Sequence, residues 1–140
     1  AVVCLTNSLP HVRTDKDLIL ALKSMRKRIR KGGILILSSG TTHATLQFPS
    51  IEVVVNREDF SRIFVKEYDD QFQTIHVLDL FHEGDRMDEN QYDIVYRILL
   101  DDDYRRLLLA AGYGKVSIYG DYGQHPYEKD SMRLIVVAEA

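Results

Sequence analysis

The chain has 140 residues, 45% hydrophobic and 28% charged, with 18 basic against 21 acidic side chains and a formal charge of −3. That balance excludes a strongly basic nucleic-acid binder, and the single cysteine excludes an internal disulfide or a cysteine-built zinc site. Apolar residues suffice for one globular domain, no apolar run of about 18 exists to cross a membrane, and no basic-then-apolar stretch opens the chain. A cytoplasmic setting, with no nucleic acid or membrane as partner, is the expectation.

The chain begins with the apolar run Ala1-Val2-Val3-Cys4-Leu5, which reads as a strand buried on both faces, the kind found in parallel sheets. A polar loop, Thr6 to His11, follows. Thr14 offers an N-cap hydroxyl, with Asp15 and Asp17 in the first turn of a helix. Leu18, Leu22, Met25 and Ile29 form its apolar face, and Gly32-Gly33 is the expected stop. Ile34 to Leu37 is a second doubly buried strand, so strand, helix and strand make a βαβ unit with parallel strands.

The segments 51–56, 61–68, 73–81 and 92–100 are rich in β-branched and aromatic residues, with a turn at Asp69-Asp70-Gln71. They read as an antiparallel meander. Asp101-Asp102-Asp103 opens a short helix carrying Tyr104, Leu107, Leu108 and Ala111 and closed by Gly112. Lys115 to Tyr119 and Met132 to Ala138 are two more strands. The fold class is α/β, with residues 1–48 and 101–140 forming a Rossmann-like part and residues 49–100 an antiparallel β insertion.

In an open α/β sheet, ligands bind outside the carboxyl ends of parallel strands. Here those ends carry Thr6-Asn7-Ser8 and Ser38 to His43, two polar loops that the βαβ unit sets side by side. An Asn-Ser pair after a strand is also a common turn former, and a lone histidine before a helix is also a common structural residue.

Val2-Val3-Cys4-Leu5-Thr6-Asn7-Ser8-Leu9-Pro10-His11 resembles the fourth strand and following loop of class I S-adenosylmethionine-dependent methyltransferases. The C-L-x-N-S-x-x-H pattern is closest to the glycine N-methyltransferase-like branch. The likeness continues through Lys31-Gly32-Gly33-Ile34-Leu35-Ile36, Leu108 to Tyr113, Ile118 to Tyr122 and Arg133 to Ala138. Nearly the whole chain aligns to the C-terminal half of such an enzyme. The resemblance implies S-adenosylmethionine as cofactor, with Leu5, Thr6, Asn7, Ser8 and His11 binding it. Asn7 and His11 would be catalytic, and Gly40, Thr41 and His43 would line a site for a small-molecule methyl acceptor. No metal is implied. The family's glycine-rich first loop and the acidic residues after its second and third strands have no counterpart here. The expectation is therefore a partial domain whose N-terminal half is its missing partner, inactive by itself.

One departure bears on the substrate. Glycine N-methyltransferases carry an arginine after strand five, suited to a substrate carboxylate, and the matching residue here is Gly40. Thr41, Thr42 and His43 would make a neutral wall instead. Cys4 reads as an inert core residue, Arg26 to Lys31 as a solvated helix end, and His76 and His82 as members of a solvated face. Tyr68, Tyr92, Tyr96 and Phe81 are either caps of an acceptor pocket or core. The alternative to an enzyme is a binding or assembly module that pairs through the apolar edge at Ala1 to Leu5, as a homo-oligomer or with another chain.

Overall fold

A computed structural model describes residues 1–140, which form two compact units, residues 1–47 with 98–140, and residues 48–97. In the first unit, a four-stranded sheet has the order β1 (Val2–Cys4), β2 (Ile34–Ser39), β8 (Leu134–Glu139), β7 (Val116–Tyr119). β1 and β2 run parallel, with Val3 opposite Ile36, while β8 is antiparallel to both its neighbours. The helices α1 (Asp15–Arg26) and α2 (Asp101–Ala110) supply Leu18, Leu22, Tyr104, Leu107 and Leu108 to a core that also takes Leu35, Leu37, Leu134, Val136 and Ala138 from the sheet. Those strand residues alternate and lie in register, so they share one face.

This arrangement corrects the reading of Ala1 to Leu5 as a doubly buried strand. Val2 and Cys4 pack against the core, but Val3 points the other way and is 55% exposed. Burial by α1 and α2 covers one face only, and an apolar run cannot tell one covered face from two.

Thr14 caps α1 as its sequence suggests, accepting a hydrogen bond from the Asp17 amide at 3.1 Å. The helix stops at Arg26, short of the expected glycine pair. Beyond it, Arg28 and Ile29 amides bond to Met25 and Arg26 carbonyls, i→i−3 turns that tighten the chain where five cations crowd between Arg26 and Lys31. Gly32 (φ 73°) and Gly33 instead turn the chain into β2; a Cβ on Gly33 would lie 2.6 Å from Ile29 Cγ2. The C-terminus of α2 is a Schellman turn. Gly112 (φ 91°) donates to Leu109 and Tyr113 donates to Leu108.

The second unit is an antiparallel sheet in the order β3 (Ile51–Asn56), β4 (Phe60–Tyr68), β5 (Phe72–Glu83), β6 (Arg86–Arg97). The turn at Asp69 to Gln71 forms, with the Asp69 carboxylate accepting the amides of Gln71 and Phe72 at 2.7 Å. β6 starts six residues before the expected Tyr92 and ends at Arg97. Its first eight residues are all exposed, so they carry no apolar alternation to read. Strand alternation puts Tyr68, Tyr92, Tyr96 and Phe81 on one face with Ile75, Val77 and Asp79. Three of those aromatics are exposed, so the core reading fails for Tyr68, Tyr92 and Phe81. On that face Arg62 grips the buried Asp79 with two hydrogen bonds, at 2.6 and 2.7 Å.

β5 stays regular through Glu83, so His76 and His82 share a face. His76 lies between Asp93, at 2.7 Å, and Glu67, at 3.5 Å. Hydrogen bonds donated to these carboxylates, Asp93 first, hold its imidazole above the ordinary histidine range. No group of histidine, cysteine and carboxylate side chains gathers to hold a metal ion, and no helix is long and apolar enough to cross a membrane.

Candidate active site at the ends of β1 and β2

The parallel strands β1 and β2 deliver their carboxyl ends to the same sheet edge, and hydrogen bonds tie the two loops together. The Thr6 amide donates to Ser38 Oγ at 3.0 Å. The Gly40 amide donates to Asn7 Oδ1 at 2.7 Å, and the Ser39 hydroxyl donates to the same oxygen at 3.2 Å. Thr6 and Asn7 are both left-handed, with φ of 53° and 55°. Asparagine tolerates such a conformation, but it is costly for a β-branched threonine. The loop is thus held in a strained shape by partners on β2.

Beneath this contact lies Tyr104, fully buried on α2 and hydrogen-bonded to Ser39. Burial pushes its phenol up to about 12, with the Ser39 bond pulling the other way. The chain Tyr104–Ser39–Asn7–Gly40 therefore runs from the helix layer to the loop surface. Cys4 packs nearby against the core; burial raises its thiol and a hydrogen bond with the Leu9 backbone opposes that rise.

The candidate residues fall into three sets. Leu5, Thr6, Asn7 and Ser8 form the first loop, with the Ser8 hydroxyl donating to the Leu5 carbonyl at 2.8 Å. His11 ends a 3-10 turn over Leu9–His11 and is exposed, while Leu9 and Pro10 below it are buried. Gly40 sits against Asn7; a Cβ there would meet Asn7 Nδ2 at 3.6 Å, an ordinary contact. Thr41 and Thr42 are buried. Thr42 and Thr45 exchange amide-to-hydroxyl bonds at 2.9 and 3.2 Å, and the Thr45 hydroxyl donates to the Gly40 carbonyl at 2.9 Å. These threonines build the turn rather than an open wall. His43 is the residue of that segment that projects outward, with Nε2 3.3 Å from Asp101 Oδ1. Asp101 opens α2, so its position is fixed by the helix start.

Tyr104, Thr45 and Asp101 carry no signal of a site in the sequence. Tyr104 was expected in the helix core, and nothing in its spacing signals a hydroxyl partner 65 residues away.

Solved structures resemble the chain over nearly its whole length. A methyltransferase from Streptomyces caelestis, CcbJ, superposes with a TM-score of 0.85 at 15% identity, over 99% of this chain and 59% of that one. An S-adenosylmethionine-dependent methyltransferase from Clostridium acetobutylicum superposes at 0.83 and 14% identity, over 98% of this chain and 56% of that one. The fold is that of the S-adenosylmethionine-dependent methyltransferases. An amino pentose methyltransferase from Micromonospora echinaspora, CalS10, solved with S-adenosylmethionine bound, superposes at 0.75 and 14% identity, over 99% of this chain and 57% of that one. The chain thus spans a little over half the length of these methyltransferases. No protein-family model matches the sequence, and no curated protein matches it.

Proposed function

We propose that the chain is part of an S-adenosylmethionine-dependent methyltransferase that transfers a methyl group to a small-molecule acceptor. The observation that carries this reading is the joined pair of loops at the carboxyl ends of β1 and β2, in a methyltransferase fold, with Asn7 bonded to Gly40. The donor set fits the polar methionine end of the cofactor: the neutral amide and hydroxyls of Thr6, Asn7 and Ser8, with His11 exposed beside them. The left-handed turn at Thr6 and Asn7 holds that set at the strand end. When bound, the cofactor supplies an electrophilic methyl group on sulfur. The residues of this chain orient, because an in-line displacement depends on alignment of acceptor and methyl carbon.

The glycine N-methyltransferase-like pattern from Cys4 to His11 belongs to the same proposal, without its substrate. Gly40 offers no guanidinium for a carboxylate. The edge position of β1, with Val3 and Leu5 exposed, favours a second reading, a strand that pairs with further chain or with another molecule.

The test is turnover. The protein encoded by the complete reading frame is incubated with S-adenosylmethionine and a panel of small amines and hydroxyl compounds, glycine included. S-adenosylhomocysteine release is followed by mass spectrometry. Release that depends on a non-carboxylate acceptor supports the proposal. Release with glycine alone overturns the acceptor reading, and none with any compound overturns the enzyme reading.

A further inference from the structure

His43 is held from two sides. Its Nε2 lies 3.3 Å from the Asp101 carboxylate, and its backbone lies against the Tyr127 hydroxyl, which is shut away from solvent with no hydrogen-bond partner. Burial pushes that phenol above its ordinary range, so it stays a neutral prop. The His43 side chain remains 42% exposed, while that of Asp101 is 28% exposed. Beside them runs a groove of about 450 Å³ lined by His43, Ala44, Gln47, Lys129 and Asp130. A histidine whose one ring nitrogen is turned to a carboxylate, whose backbone is braced and whose ring borders a groove has the construction of a proton acceptor.

We propose that His43 is the general base for the methyl acceptor and that Asp101 is its positioning residue, a reading that rests on the function proposed above. Asp101 binds Nε2–H and so fixes the tautomer with the lone pair on Nδ1. As the acceptor's nitrogen or oxygen forms its bond to the methyl carbon, its N–H or O–H bond breaks. The proton passes to Nδ1 of His43, and the electron pair of the severed carbon–sulfur bond stays on sulfur. His43 then releases the proton to water. The charged and titratable groups around the ring are Asp101 on α2, Tyr127 behind the backbone, and Lys129 and Asp130 across the groove.

Two measurements test this. On the 140-residue chain, nitrogen-15 NMR of the imidazole reads the tautomer directly. His43 is expected as Nε2–H, and Asp101→Asn as a mixture that Asp101→Glu restores. A wild-type Nδ1–H form, or one unmoved by Asp101→Asn, overturns the dyad. On the complete protein, His43→Gln is expected to lower kcat at least about 100-fold. The acidic limb of its pH–rate profile should vanish, with calorimetric cofactor affinity and the near-ultraviolet dichroism of the fold unchanged. Asp101→Asn should lower kcat about tenfold or more with little change in KM. If the wild type turns over an acceptor and His43→Gln keeps most of its rate and its acidic limb, the general-base role falls while the methyltransferase reading stands. If the wild type turns over nothing, the methyltransferase reading fails and this role with it.

Discussion

Asn7 and Gly40, 33 residues apart in sequence, are joined by a 2.7 Å hydrogen bond from the Gly40 amide to the Asn7 side-chain oxygen. The bond makes one surface of two loops. It also gives Asn7 a load to bear whether or not a ligand is present, since Ser39 donates to the same oxygen. Replacing Asn7 by alanine leaves the Gly40 amide and the Ser39 hydroxyl without that partner, a loss of about 1–3 kcal/mol. Chemical denaturation should show it as a lower midpoint at an unchanged m-value. Asn7→Asp, which keeps the acceptor oxygen, should recover most of it. In the complete protein, Asn7→Ala should also lower kcat more than it raises KM. A variant of wild-type stability would show that the Asn7 side-chain oxygen carries no such load.

Thr6 is the less comfortable half of the turn, because a β-branched side chain at φ 53° is disfavoured. Thr6→Asn suits the left-handed region better. It should raise stability by about 1 kcal/mol, within the range stored by such residues. A melting temperature below wild type would mean that the Thr6 side chain returns more than its backbone costs.

Alkaline pH reads out the buried Tyr104. Its phenol is pushed up to about 12 in the fold, against roughly 10 in an unfolded chain. Its contribution is complete below the unfolded value. Above that, the unfolded chain sheds a proton that the native state keeps, and stability falls by about 1.4 kcal/mol per pH unit until the folded value is passed. Burial raises Tyr113 as well, so the wild-type slope has more than one source. The difference between wild type and Tyr104→Phe, measured by urea unfolding from pH 9 upward, isolates the Tyr104 share. Parallel curves would contradict it.

Cofactor affinity of the 140-residue chain should be weak. Its candidate contacts come from the ends of β1 and β2, and net hydrogen bonds of about 1 kcal/mol each fall short of the roughly −6 kcal/mol that a dissociation constant of tens of micromolar requires. The exposed edge of β1 should also draw the chain into dimers or larger species. Calorimetric titration and light scattering check both. Micromolar binding by a monodisperse monomer would overturn the expectation.

The βαβ unit, the Thr14 cap and the Gly112 stop were legible because each rests on local chemistry: apolar spacing, an N-cap hydroxyl, a left-handed glycine. The juxtaposition of the loop Thr6 to Ser8 with the loop Ser38 to His43 was legible too, as geometry that follows from parallel strands, while the bond between Asn7 and Gly40 within it was not. The early end of α1 was not, because the apolar spacing runs on to Ile29 while the backbone has already tightened into i→i−3 turns. The first half of β6 was hidden by its exposure: Arg86 to Gln91 pair fully with β5 but lie outside the strand expected from Tyr92 onward. Asp101 read as a helix-dipole carboxylate, and its contact with His43 spans 58 residues, beyond any local pattern. Tyr104 fits the apolar stripe of α2, and that spacing carries no signal of its hydroxyl's partner.

The place of β8 carries a consequence for the order of assembly. Residues 134–139 form an inner strand between β2 and β7, and Leu134, Val136 and Ala138 stand in the middle of the core. On a ribosome, β1, α1 and β2 would emerge with that slot open and their apolar faces uncovered. The meander of residues 48–97 pairs only neighbours in sequence, so it can condense as it is made. The unit made of 1–47 and 98–140 must wait until β8 is out, holding an unfilled strand position for the whole interval.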